Sequence, residues 1–526
     1  MNLKKPVPQD RTIVNGIWLD ILDDWANSFV NDGDNSALGV NLKNLAMTAY
    51  GEAKAEENTP ITQIKASYGL LGLTLTVTDA SASGTNTVVN DLFTSQTGTT
   101  ADGLASILTL RQISSRAGQG ISVYFDAIFT NGVAASQQAA GLITSENSYV
   151  FAFLGVDFGI AHTFGGISEQ QELTVTTAAI GAETATITID GNPFSVPLTA
   201  GTVQHNAFEI ALSLEAQVTN YDFTSNDNQV IAQSLISGPQ GVFSFSSTGT
   251  AVAAWVQDHA GLAASLDFIK QEDWNVDTRL TETDPSTNRK LDPTNGNLYQ
   301  IQLCANFGSV RFFLEDHDSG TLKLVHIIKA ANIKTTVNST NLAFRLGWLA
   351  QNLGNTTNLT VQGNSAGSFI EGKLKRSTPP RSEANIQLAV GTPRTNIIMF
   401  RNRIHFGGKV NRADIVPLLA TLSTQSNKSA FFEIIANPVF TGDADFSYVD
   451  KTESLMEIAT DPVIITGGRL LGAVTVVSGS SEQLEFNTRA VQEFVALPGQ
   501  SFAIAARISG GAAADMEATG TWAEDV

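Results

Sequence analysis

Residues 297–329, NLYQIQLCANFGSVRFFLEDHDSGTLKLVHIIK, contain three apolar-rich runs separated by two short polar breaks. The breaks, Asn306–Gly308 and Asp316–Gly320, are rich in the Asn, Asp, Ser and Gly side chains that tolerate tight turns. Short runs dominated by Val, Ile, Leu, Phe and Tyr fit strands better than helices. VRFFLED, a turn, then LKLVHIIK is the antiparallel pair a sheet requires. The stretch predicts a three-stranded antiparallel meander.

The same texture extends both ways. Upstream, LLGLTLTVTDA alternates Leu73, Leu75 and Val77 with threonines, and GQGISVYFDAIFT alternates Ile121, Val123, Phe125 and Ile128 with one slip. SYVFAFLGVDFGIAHTFGG follows with more. Downstream, KLKRSTPPRSE sets basic residues around Pro379 and Pro380 and reads as an exposed linker. Beyond it NIIMFRNRIHFGGKV, AFFEIIANPVF, GRLLGAVTVV and QSFAIAARISG are four further strand candidates. Closely spaced strands with polar turns and few helices predict a mainly β, multi-domain chain of antiparallel sandwiches.

Between residues 168 and 263 the texture changes. ETATITIDGNPFSVPLTAG reads as a hairpin, with Ile187 and Ile189, a turn at Asp190–Asn192, then Phe194, Val196 and Leu198. HNAFEIALSLEAQV places Phe208, Ala211, Leu212 and Leu214 at helical spacing, and NQVIAQSLISG and GVFSFSSTG supply two closing strands. Because LDFIKQEDWNVD resumes the earlier strands, this ββαββ unit is read as a small α+β insert. Near the start, NGIWLDILDDWANSFVN spaces Trp18, Ile21, Leu22, Trp25 and Phe29 three and four apart. It predicts a short N-terminal helix capped by Asn15 and stopped near Gly33. The expected organisation is 1–45 as an N-terminal helical attachment segment, and 46–167 with 264–374 as a split β-sandwich. The insert spans 168–263, and 375–526 form a C-terminal β-sandwich.

The chain has 526 residues, 51 acidic and 31 basic, for a formal charge of −20. That balance opposes the clustered Lys and Arg that bind nucleic acid or anionic lipid, so no nucleic-acid partner is expected. Cys304 is the single cysteine and lies in an apolar run, which excludes an intrachain disulfide and points to folding in a reducing cytoplasm. MNLKKPVPQDRT has two lysines but no apolar core, so no secretory signal is read. No apolar run approaches the ~20 residues that span a bilayer, so no membrane insertion is expected.

Several stretches resemble structural proteins of tailed bacteriophages and some large viruses. WNVDTRLTETDPSTNRKLDPTNGNLYQIQ, GSVRFFLEDHDSGTLKLVHIIKAANIKTT and GNTTNLTVQGNSAGSFIEGK resemble a domain found repeatedly in their fibre, tail-appendage and capsid-surface proteins. RAGQGISVYFDAIFT and FGIAHTFGG precede them in the same order. The stretch LTVTTAAIGAETATITIDGNPFSVPLTAGTVQHNAFEIA resembles a small module that interrupts that domain just after paired glycines matching Gly165 and Gly166. FFEIIANPVFTG, GQSFAIAAR and the ending TWAEDV resemble the terminal domain. The resemblance covers roughly residues 45–526. It implies a concanavalin- or laminin-G-like β-sandwich, then a jelly-roll-like one, in a threefold virion appendage. Where members carry a Gly-rich stretch this chain has LTETDPSTNRK, a longer and more charged loop suited to varying partner choice.

No catalytic, cofactor-binding or metal-binding residue is assigned. Glu315, Asp316, His317 and Asp318 have the oxygen ligands of a calcium turn, but a solvated β-turn accounts for them better. The histidines His162, His205, His259, His317, His326 and His405 are scattered without a paired metal spacing. No nucleophile elbow is read, although Gly363–Gly367 spells G-x-S-x-G, and no phosphate-binding loop is present. Trp274, Trp348 and Trp522 would stack on sugars if exposed, and read more simply as core or interface. The expected role is a non-enzymatic virion structural protein, a fibre, tail appendage or capsid decoration made in the host cytoplasm. Its expected partners are itself, as a homo-oligomer and most simply a trimer, other virion proteins through the N-terminal helix, and a host surface glycan or receptor. The alternative is a particle-borne polysaccharide-cleaving enzyme on the same scaffold.

Overall fold

The computed structural model describes residues 58–72, 76–115, 118–239, 241–280, 290–304, 307–317, 319–335, 337, 339, 342–371, 379–424, 428–485 and 494–525. It also describes four short strands nearer the N-terminus. The chain divides into two compact units, residues 1–55 and 56–526.

In the first unit the expected helix is replaced at both ends by strand pairs. Ile13–Val14 pairs antiparallel with Ile17–Trp18, and Phe29–Asp32 pairs with Asn35–Leu38. The physical reason is local. Asn15-Gly16 and Gly33-Asp34 are two-residue hairpin signals, and they override a periodicity that also fits a helix. Ile21, Leu22 and Trp25 lie outside the described residues.

The second unit is mainly β, with antiparallel sheets and one α-helix among the described residues. Its first sandwich has an eight-stranded sheet running Ser265–Lys270, Asp157–Phe164, Ser148–Leu154, Ser136–Ile143, Ala343–Asn352, Leu104–Thr109, Thr76–Ser81, with Ile113–Ser114 beside Ala343–Asn352. The nine-stranded sheet opposite begins with Leu322–Ile328, Val310–Glu315 and Asn297–Leu303, the meander expected from the opening stretch. Asn297–Leu303 then pairs with Ile121–Phe129, whose Ile121, Val123, Phe125, Ala127 and Phe129 are all buried. The expected slip at Ile128 is absent: Ala127 and Phe129 keep the period of two, and Ile128 is half-buried on the other face.

One core joins the two sheets. Phe125 stacks on Tyr299 at 5.6 Å, and Phe151 of the opposite sheet meets Tyr299 at 4.6 Å and Phe312 at 5.5 Å. Trp348 is fully buried, packs on Phe93 at 5.4 Å, and donates from Nε1 to the Asp126 carbonyl at 2.8 Å. Gly363 leaves room for that indole, since a Cβ there would lie 2.3 Å from the ring. Gly363→Ala is therefore expected to cost about 1–3 kcal/mol by overpacking, read as a shift of the urea midpoint.

The insert leaves and re-enters the eight-stranded sheet between Asp157–Phe164 and Ser265–Lys270, which pair with each other. It holds one sheet of Tyr221–Asn226, Gln229–Ser237, Ser168–Thr177 and Val252–His259, and a second of Asn192–Leu198, Glu183–Ile189 and Phe243–Ser247. The strands Ser168–Thr177, Tyr221–Asn226 and Val252–His259 exceed the expected ββαββ order. The helix Val203–Gln217 starts at Thr202, whose hydroxyl accepts from the His205 N–H. Its buried face is Asn206, Ala207, Ile210, Ala211 and Leu214, so Leu212, placed inward by sequence, is instead 62% exposed. The insert has its own hydrophobic core, which includes Leu173, Ile187, Ile210, Leu214 and Phe223. Excised residues 168–263 are expected to give a dispersed amide NMR spectrum, and a collapsed one would contradict a self-sufficient core.

The C-terminal sandwich pairs a four-stranded sheet, Arg381–Val390, Ala514–Asp525, Asp414–Thr424 and Ser481–Glu485, with a six-stranded sheet containing Thr395–Asn402, Ala430–Thr441, Ile464–Val476 and Ser501–Ile508. Phe400, Phe502 and Trp522 sit in its core. Of the linker expected over KLKRSTPPRSE, Pro379 and Pro380 are exposed, and from Arg381 the chain is already in a strand that pairs with Trp522; residues 373–378 lie outside the described residues.

Candidate functional site at the junction of three modules

Within residues 56–526 the two sandwiches and the insert meet through buried, charged side chains. Glu457, on Met456–Ala459 of the C-terminal sandwich, is 2% exposed. Its Oε2 accepts from Arg401 Nε at 2.7 Å, and its Oε1 accepts from Asn226 Nδ2 of the insert at 2.8 Å. Arg401 also donates through Nη2 to the Ser225 carbonyl and lies 3.7 Å above the Phe446 ring. The carboxylate thus neutralises a guanidinium while tying two modules together. A planar fork suits that double duty better than a lysine would.

The insert helix makes a second contact. His205 bridges Glu209 on its own helix and Asp443 of the C-terminal sandwich, and Thr199 Oγ1 meets its Nε2 at 2.7 Å. Beside it the Asp227 N–H donates to the Phe446 carbonyl at 2.9 Å. Phe208, expected inward, lies half-buried 6.5 Å from Phe440 of the C-terminal sandwich. Gly408 passes so close to His259 of the insert that a Cβ there would sit 1.8 Å from its Nε2.

The split sandwich is tied in by two more arginines. Arg412 Nη2 meets Glu146 Oε2 at 2.7 Å with both side chains under a tenth exposed, and Arg111 Nε meets Asp414 Oδ2 at 2.8 Å. Asp222 of the insert has its carboxyl raised above the usual range by burial, opposed by the charge of Arg345 from the split sandwich. Burial, and then the nearby Arg412 charge, lower Arg345 in turn. Between Leu110–Arg111 of the split sandwich and the C-terminal segments around Asn437, Arg469 and Phe494 lies a cavity of about 400 Å³.

His405 sits at the same junction, 6% exposed, with no hydrogen-bond partner on Nδ1 among the described residues. Burial first, then the charges of Arg403, Lys451, His259 and Arg401, hold it down to about 3. The folded value lies below the unfolded one, so the stabilisation is complete above about 6.5 and falls as pH drops toward 3. The urea midpoint is therefore expected to decline below pH 6.5, with a shallower acid limb in His405→Gln.

The residues singled out by sequence lie elsewhere. Trp274, Trp348 and Trp522 are all buried, and Trp522 Nε1 donates to Glu524 at 3.1 Å. His162 is stacked between Tyr149 and Phe164, and His326 accepts the Asn275 N–H at 3.2 Å. Asp316 is held by Ser319 Oγ at 2.7 Å and Arg279 Nη1 at 3.2 Å, so its turn is braced by a guanidinium. Asp318 and residues 281–289 of the charged loop lie outside the described residues. Among the described residues no group of three or more His, Cys, Asp or Glu is placed to hold a metal. Cys304 is buried, and burial pushes its thiol up. No helix of the described residues is long and apolar enough to cross a membrane.

No protein-family model and no curated protein matches the chain. Among solved structures, arcelin-5, a lectin-like defence protein from Phaseolus vulgaris, is similar over 60% of this chain and 100% of its own, at 11% identity and a TM-score of 0.22. Lectin UEA-II, solved with galactose, is similar over 56% of this chain and 92% of its own, at 10% identity and a TM-score of 0.20. The sandwich assignment rests on this chain's own sheet order and shared cores.

Proposed function

We propose that the chain is a non-enzymatic structural component of a virus particle, a fibre, tail appendage or capsid-surface protein assembled in the host cytoplasm. The observation that carries this reading is the junction: three β-modules are fastened by buried, directional contacts such as the Arg412–Glu146 ion pair and the hydrogen bond from Asn226 to Glu457. Directional buried pairs fix one relative orientation, which suits a rigid projecting or covering part more than a pair of domains that must open and close. The resemblance to fibre and appendage proteins supports the same role. Self-association as a trimer belongs to the proposal, as does contact with a host glycan or receptor. Attachment through residues 1–45 then rests on their apolar content rather than on a helix.

Particles banded on a density gradient from cells expressing the chain test this. The chain should co-band at many copies per particle, and deleting residues 1–45 should leave it in the soluble fraction. A chain absent from the band, or one that releases reducing ends from host glycan, would overturn the proposal.

A further inference from the structure

The cavity between the two sandwiches runs against the chemistry of the rest of the chain. The whole sequence has 51 acidic and 31 basic side chains, yet the described residues lining this space include two arginines and no carboxylate. Arg111 spends Nε on Asp414 and Nη1 on the Ile61 carbonyl. Arg469, exposed on the rim, has no acidic partner within 4 Å among the described residues.

The two lining amides are committed in one direction. Asn437 Oδ1 accepts the Ser501 N–H at 3.1 Å, and Gln500 Oε1 accepts the Leu497 N–H at 3.2 Å. Each oxygen thus already accepts one hydrogen bond, and among the described residues neither NH₂ group donates to a protein acceptor. The polar side chains of the cavity therefore offer donors. Phe494 and Leu497 add apolar surface beside them.

The rim is also built at a conformational cost. Asn437 has φ +46 and Gly468 has φ +111, and a Cβ on Gly468 would lie 2.5 Å from the Ile435 side chain. The register shifts between Ala436 and Val439 opposite, so the two strands bulge where the cavity opens. Strained backbone that the surrounding sheet over-determines is a feature of ligand clamps.

We infer that this cavity is a binding site for a carboxylate-bearing sugar of the hexuronate type. The carboxylate would meet the Arg469 and Arg111 guanidiniums, the hydroxyl oxygens would accept from Asn437 and Gln500, and the ring face would cover Phe494 and Leu497. A volume of about 400 Å³ holds one or two such rings. The inference gives a chemical class to the glycan contact proposed above and rests on that reading only for its biological purpose.

Isothermal titration of the full chain with glucuronate, glucose and inorganic phosphate tests it. Glucuronate should bind at least ~10-fold more tightly than either control, because only it brings both a carboxylate and a ring. Arg469→Gln, at an exposed position, should weaken glucuronate at least ~10-fold while leaving the urea midpoint unchanged. Absence of glucuronate binding, equal binding of phosphate, or an unaffected Arg469→Gln chain would each overturn the inference. Particle incorporation of Arg469→Gln should be normal in every case, so failure here is separable from failure of the virion reading.

Discussion

Glu457→Ala is expected to lower stability by about 3–5 kcal/mol, because it strands the buried Arg401 guanidinium and leaves Asn226 Nδ2 without its acceptor. Arg401 keeps its contacts with the Ser225 carbonyl and the Phe446 ring, but neither supplies a compensating charge. Replacing the pair together, Arg401→Met with Glu457→Met, should recover much of the loss, since apolar groups of similar size remove the uncompensated charge. Urea unfolding followed by tryptophan fluorescence measures both. A single variant within about 1 kcal/mol of wild type would mean that water reaches the pair and that the junction is only a surface contact.

Trp348→Ala should cost at least as much, about 3–5 kcal/mol, from a cavity in the first sandwich. The indole is fully buried between the sheets, and its loss also frees the Asp126 carbonyl. Asp126 is in turn the brace of the next turn, since its carboxylate accepts from the Ser365 N–H at 3.1 Å and the Ser365 hydroxyl at 3.0 Å. Loosening there should spread toward Ser365–Glu371, visible as faster amide exchange in that strand. Trp348→Phe, which keeps most of the volume, should be clearly milder. Equal effects of the two variants would show that packing of the indole is not what holds the sheets together.

The sheets were legible in the sequence because a strand's signal is local. The alternation in Ile121–Phe129 and the two turns of the 297–329 meander need only a few consecutive residues to be read. The same locality misled at the N-terminus, where three-and-four spacing of Trp18, Ile21 and Trp25 outweighed two adjacent hairpin pairs. It also left Tyr221–Asn226 unread, since YDFTSN carries few apolar side chains and is held in place by its neighbour Gln229–Ser237. The junction was invisible for a different reason. Arg401 and Ser225 are 176 residues apart in sequence, and Arg412 and Glu146 are 266 apart. No spacing rule connects such pairs, and an arginine in a strand reads as an outward-facing charge until a second module covers it. Asn437 and Gln500 are equally silent, because what matters is which end of each amide the backbone already occupies.

Differential scanning calorimetry of the full chain at pH 7.5 tests most directly whether the three β-modules are one fastened body. The ion pairs and hydrogen bonds between modules should make the split sandwich, the insert and the C-terminal sandwich melt together in one main transition. That transition should separate into at least two in Glu457→Ala. Three well-resolved transitions in the wild-type chain, unmoved by Glu457→Ala, would show that the modules are independent beads and would contradict the account.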